Sequence, residues 1–193
     1  MKEIEVLVMI NSTNFKHIKE QILQKASFVS KNIVIDTYFF DPLRKNLQPD
    51  DNFSIYECFR LRKKDCRYYL TYKVDKFDNN GKWLYSDENE SELSNGEEVK
   101  KIIHNLGLKE LVIVDMLKEY YENDNFNIAI EYVKDLGAFL EVESKKKVNT
   151  LNEIKKEKCE IQKFISSLDL NVTSDVGIGK PEMLLKKYKD WKK

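Results

Sequence analysis

A period of two in apolar and polar positions runs through the first three quarters of the chain. In MKEIEVLV, Ile4, Val6 and Val8 fall on one face of a strand and Glu3, Glu5 and Leu7 on the other. The same alternation returns in YECFRLRKKD, RYYLTYK, DENESEL, FNIAIEYV and AFLEVES. Helical spacing interrupts it. NSTNFKHIKEQILQKAS puts Phe15, Ile18, Ile22 and Leu23 on one side, with Ser12 or Thr13 as the cap. GEEVKKIIHNLGL reads as a short amphipathic helix ending at Gly107, and residues from about Val148 to Leu170 as a long charged helix. A loop with Gly177, Gly179 and Pro181 precedes a last helix, EMLLKKYKDW. Asn79-Asn80-Gly81 tolerates the positive φ of a tight hairpin turn, and Asn123-Asp124-Asn125 marks a second hairpin. Strands joined by hairpins predict an antiparallel meander with helices outside it, not βαβ units.

The polar faces of these strands carry charge of one sign at a time. Arg60 and Arg62 share a face, and Lys73 lies with Tyr69 and Thr71. Glu88, Glu90 and Glu92 share another, Glu131 lies with Ala129 and Val133, and Glu141 and Glu143 lie with Phe139. For one strand, a solvated outer face explains this. Six strands with acids and bases segregated suit a curled sheet that turns its charged faces inward around a wet bore. A cluster of carboxylates repels itself, and a hard divalent cation relieves that repulsion while keeping sites for waters and phosphate oxygens. Nearby Arg and Lys neutralise the phosphates. Acids and bases together therefore suit a metal–phosphate complex.

Composition narrows the partners. Lys plus Arg equals Asp plus Glu at 33 each, so no basic excess points to nucleic acid. No apolar run approaches the ~20 residues of a membrane span. Cys58, Cys66 and Cys159 form no CxxC pair and read as free thiols in a reducing, cytoplasmic setting. The expected organisation is one domain over 1–193, with a helical C-terminal segment from about 148 to 193, acting as a monomer or homodimer. His17 and His104 read as surface positions on separate helices. Gly177-Ile178-Gly179-Lys180-Pro181 lacks the spacing of a phosphate-binding loop and reads as a plain connection into a helix. Tyr120-Tyr121 reads as barrel wall.

An ordered set of segments carries a resemblance. EIEVL (Glu3–Leu7), DTYFFDP (Asp36–Pro42), CFRLRKK, YLTYK, HNLGL and IAIEYVKDLGAFLEVE (Ile128–Glu143) resemble, in order, the motifs of the CYTH superfamily of triphosphate tunnel metalloenzymes. That superfamily includes class IV adenylyl cyclases, thiamine triphosphatases and inorganic triphosphatases. The resemblance implies an α+β fold built on a closed eight-stranded antiparallel β-barrel, or tunnel, with helices packed outside. It implies Mg²⁺ or Mn²⁺ held by Glu3, Glu5, Glu141 and Glu143, with Glu90 and Glu92 from a central acidic strand. Arg60, Arg62, Lys73 and Lys118 would grip a small-molecule triphosphate. Glu131, Lys73 and Arg60 would take catalytic roles, Glu131 by orienting a water or a second metal.

Three positions depart from the pattern. Leu7 stands where the opening signature Glu-x-Glu-x-Lys has lysine, and Glu88 and Met116 stand where basic residues are often found. Each removes positive charge, with Lys76 and Lys82 as candidate replacements. The implied activity is phosphoanhydride hydrolysis of an inorganic, nucleoside or thiamine triphosphate. The alternatives are cyclisation of ATP to cyclic AMP and pyrophosphate, and a module that binds a phosphoryl ligand without turnover. A barrel with a merely solvated polar face is the remaining reading.

Overall fold

The apolar stripe of the N-terminal strand is buried by helices. In the computed structural model, which describes residues 2–12, 14–79, 81 and 83–189, this segment forms β1 (Lys2–Glu3) and β2 (Glu5–Ile10). Ile4, Val6, Val8 and Ile10 pack with Ile18 and Ile22 of α1 (Phe15–Leu23) and with Ile154, Ile161 and Ile165 of α3 (Leu151–Ser166). Ile128 and Ile130 of β8 (Phe126–Val133) and Leu140 and Val142 of β9 (Gly137–Ser144) complete this cluster. The main core thus lies on the outer face of the sheet. A smaller one places α2 (Gly96–Asn105) on β4 (Glu57–Lys64) and β5 (Arg67–Phe77) through Ile103, Leu61 and Leu70.

Among the described residues the sheet has ten strands. Those not yet named are β3 (Ser27–Phe40), β6 (Trp83–Leu93), β7 (Lys109–Glu122) and β10 (Val172–Asp175). Every pairing is antiparallel, in the order β1-β6-β5-β4-β3-β7-β8-β9-β2-β10. The α+β class and the external helices agree with the sequence. The expected closed barrel of eight strands is met in part: among the described residues the curled sheet is a half-barrel of ten strands. The N-terminal segment pairs with β6 before Ile4 and with β9 after it. One short stretch therefore serves both ends of a curled half-barrel, and the ladder is split there. β10 adds an edge beyond β2 that the pattern of VTSD does not announce.

Local chemistry sets the registers. Between β8 and β9, Asp135 and Gly137 take positive φ (67° and 109°), which keeps the connection short and pairs Ala129 with Glu141. The cap of α1 is Asn14, whose side chain accepts from the His17 N–H, and not Ser12. Thr13, Asn80 of the first hairpin, Lys82, and Asp190 and Trp191 of the expected last helix lie outside the described residues. The capping box of α3 pairs Thr150 with Glu153 and starts that helix at Leu151.

Ile161 is fully buried between α3 and the sheet. Ile161→Ala should lower unfolding free energy by about 2–5 kcal/mol in urea titrations. A loss below about 1 kcal/mol would mean that α3 does not seal the outer face.

Candidate active site

The inward faces of the strands hold the charges. Glu3, Glu5 and Leu7 point the same way from β1 and β2, opposite to Ile4 and Val6. In the β2–β9 register Glu5 lies across from Glu143, and Leu7 across from Glu141. In the β3–β4 register Asp36 lies across from Arg62, and Tyr38 across from Arg60. In the β5–β6 register Lys73 faces Glu88 and Thr71 faces Glu90. These side chains line a cavity of about 600 Å³, together with Lys118, Tyr120 and the segment Gly177–Glu182 that opens α4 (Lys180–Tyr188). That volume falls within the ~300–1,000 Å³ of small-molecule sites.

Each cation is held in place by acids. The Arg62 guanidinium donates twice to Asp36, through Nε and Nη2 at 2.7 Å each. Arg60 reaches Asp36 at 3.4 Å, Glu90 at 3.3 Å and the Thr71 hydroxyl at 3.0 Å. Thr71 in turn donates to Glu90 at 2.8 Å. Lys73 bridges Glu3 and Glu88, the latter at 2.6 Å. Lys118 contacts Glu131 at 2.5 Å and Glu141 at 3.1 Å. Lys180 contacts the same two carboxylates at 2.5 and 2.6 Å. Two acids and two lysines thus form a closed neutral quartet at one end of the inner face.

Titration follows from these neighbours. Burial works to raise the Asp36 carboxyl, but Arg62 and Arg60 outweigh it and hold the group well below the usual range. Burial likewise opposes the charge of Glu141, and Lys118 and Lys180 prevail, keeping it ionised. The opposite holds where acids outnumber bases. Burial first, then Glu3 and Glu141, raises Glu5 well above its ordinary value. Burial and the nearby Glu3 push Glu143 up to about 7. Burial pushes Glu182 to about 7 as well, although it accepts from the backbone N–H groups of Ile55 and Gly179.

Among the described residues, ten carboxyl groups and five cations line this one cavity. Such an excess of acid repels any anion unless further positive charge enters with it. The donors available for a metal are carboxylate oxygens, which suit Mg²⁺ or Mn²⁺. The one thiol, Cys58, is raised by burial and stays protonated. Glu5 and Glu143 are acids that burial and neighbouring acids raise, and Glu3, held by Lys73, stands beside them. Among the described residues no three such side chains converge as a ready-made ligand cage. A Mg²⁺-like ion there would complete its shell with waters and ligand oxygens, which is its ordinary habit.

The structure sorts the expected site residues. Glu3, Glu5, Glu90, Glu141, Glu143, Arg60, Arg62, Lys73 and Lys118 all reach the cavity. Glu92 shares the face of Glu90 but is exposed beyond the cavity wall and does not join the carboxylate group. Glu131 is fully buried between Lys118 and Lys180 and has no share in the cavity surface. Its place is that of a counter-ion which positions two lysines. Glu88, a departure from the resemblance, sits on Lys73. Lys76 lies half-exposed near Asp87 at 3.9 Å and does not replace a missing lysine. Sequence reading missed Asp36, Asp75, Ser86, Asp175 and Lys180. The first three were readable from strand parity, since Asp75 shares a face with Lys73 and Ser86 with Glu88. Asp175 and Lys180 are not, because neither the short strand VTSD nor the loop Gly177–Pro181 carries a periodic signal. Tyr120 lines the cavity, whereas Tyr121 belongs to the outer core and donates to Glu119.

Comparison with known proteins agrees with this geometry. The CYTH domain family model matches residues 1–173. A protein of Methanocaldococcus jannaschii, provisionally named an adenylate cyclase, is 28% identical over 172 residues, covering 89% of this chain and 91% of its own. The PH1819 protein of Pyrococcus horikoshii superposes with a TM-score of 0.75 at 25% identity, covering 95% of this chain and 99% of its own. HpAC1 of Hippeastrum, described as having a dominant triphosphatase activity, shares the fold with a TM-score of 0.65 at 13% identity, covering 97% and 96%.

Glu143 and Glu182 bind their protons more tightly in the fold than in the unfolded chain, at about 7 against 4.5. The folded state then carries more protons across that interval, so its stability falls as pH rises through it. In a chelator-containing buffer the melting temperature should decline from pH 5 to pH 8, and Glu143→Gln should flatten the decline. A melting temperature that climbs over that range would contradict the assignment.

Proposed function

The chain belongs to the CYTH domain family, and from that premise we propose that it is a divalent-metal-dependent enzyme that hydrolyses the phosphoanhydride bond of a small-molecule triphosphate. The observation that carries this reading is the gathering on one cavity of the cations Arg60, Arg62, Lys73 and Lys118 with the Glu3, Glu5 and Glu143 carboxylates, of which Glu5 and Glu143 are left short of positive charge. Glu3, Glu5 and Glu143 would hold a Mg²⁺ or Mn²⁺ ion, which supplies charge neutralisation at the phosphate oxygens. The chain's own residues do the positioning. Asp36, ionised and clamped by both arginines, fixes the two guanidiniums as a rigid fork for phosphate oxygens. Thr71 and Glu90 hold the second edge of Arg60. Lys73 and Lys118, both kept charged by the acids around them, face the developing negative charge.

One feature favours a second reading, ring closure on a nucleoside triphosphate. Tyr56, Phe77 and Trp83 also line the cavity, with Tyr56 and Phe77 packed edge to face at 5.6 Å. An aromatic rim suits a base, and pose within the cavity then decides whether water or the ribose hydroxyl attacks.

The test is a panel of tripolyphosphate, thiamine triphosphate and ATP, each with Mg²⁺ and with Mn²⁺, scored for phosphate, pyrophosphate and cyclic nucleotide. Hydrolysis of at least one member is expected. Arg60→Ala and Glu5→Gln should each lower turnover by roughly 10²–10³-fold while the protein stays folded. Cyclic AMP as the main product from ATP would favour the second reading. Tight binding with no product would leave a phosphoryl-binding module, and undiminished turnover in both variants would refute the site.

A further inference from the structure

Two departures from the family pattern lie in one place. Leu7, across the ladder from Glu141, and Met116 on β7 are both buried. They share an apolar cluster with Leu184 and Leu185 of α4. This greasy end of the inner face is where α4 docks. β10 pairs with β2, and the Val176 N–H donates to the Leu7 carbonyl at 2.8 Å, which leads the chain into α4 beside that same residue. Glu182 then fixes the start of the helix by accepting from the Gly179 and Ile55 N–H groups. The first residue of the helix is Lys180, and its ammonium lands on Glu141, the residue opposite Leu7, and on Glu131.

We propose that Lys180 supplies, from the C-terminal helix, the cation that the opening signature lacks at Leu7, and that it joins the grip on the bound polyphosphate. The buried Glu131 and the partly buried Glu141 need more than the single ammonium of Lys118, because an uncompensated charge away from water is strongly unfavourable. A lysine at position 7 would put charge into the apolar contact that seats Leu184 and Leu185. An apolar residue at 7 makes the docking possible, and the docking returns the charge. Lys180 also lines the cavity, so a ligand oxygen can reach its ammonium. The role in ligand binding rests on the triphosphate reading above, whereas the relocation of charge does not.

Three variants test this: Lys180→Met, Lys180→Arg, and Lys180→Met combined with Leu7→Lys. Two measurements are made on each, the melting temperature without ligand and calorimetric binding of tripolyphosphate with Mg²⁺. Lys180→Met should melt lower than the parent and bind on the order of tenfold more weakly or worse. Lys180→Arg should keep most of both, and adding Leu7→Lys should recover most of the binding that Lys180→Met loses but not the melting temperature, because charge at position 7 enters the apolar contact with Leu184 and Leu185. Unchanged or tighter binding by Lys180→Met would overturn the gripping role and make Lys180 a plug. A melting temperature for Lys180→Met equal to the parent's would overturn the relocation, as would failure of Leu7→Lys to recover binding. If the parent itself binds no polyphosphate, the triphosphate reading and the gripping role fail, and the melting series still decides the relocation.

Discussion

Everything in this molecule answers to the charge balance of one enclosed cavity. Acids outnumber bases two to one on its walls among the described residues. Ionised carboxylates cannot be crowded into a partly dehydrated space without compensation. The protein meets this in three ways. Arginines clamp Asp36 and Glu90, lysines close a quartet with Glu131 and Glu141, and Glu5 and Glu143 hold protons more tightly than usual. The last group is the one that a divalent ion would serve best.

The fold makes the cavity possible by inverting the usual arrangement. The apolar face of the strands is turned outward and covered by α1, α2 and α3, so the charged face is free to curl inward. The inner face is not polar throughout. One end is filled by an apolar cluster that includes Phe139, Met116, Leu184 and Leu185. The cavity is therefore charged where it is open and greasy where α4 enters, and this contrast gives the C-terminal segment a defined seat beside the site.

Much of this was legible in the sequence, and the limits have physical causes. Period-two parity assigns a face, and Glu3, Glu5, Arg60, Arg62, Lys73, Glu141 and Glu143, which it groups, all line the cavity, as does Lys118, which the family resemblance named. Parity says nothing of depth along a strand, so Glu92 and Glu90 looked equivalent although only Glu90 reaches the cavity. It also cannot distinguish a side chain on the cavity wall from one sealed beneath it, as Glu131 is. Lys180 was hidden for a third reason. Its position depends on how α4 docks against Leu7 and Met116, a tertiary event with no local signature, and the four-residue β10 that guides it has no apolar stripe to read.

The central claim is that this acid-rich cavity accepts a polyphosphate only together with a divalent cation. Calorimetric titration of tripolyphosphate into the protein, once with a chelator present and once with Mg²⁺ in excess, tests it directly. The account predicts no measurable heat of binding in the chelator and saturable binding with Mg²⁺. Equal affinity in both buffers would show that the cations on the wall suffice alone, and would contradict it.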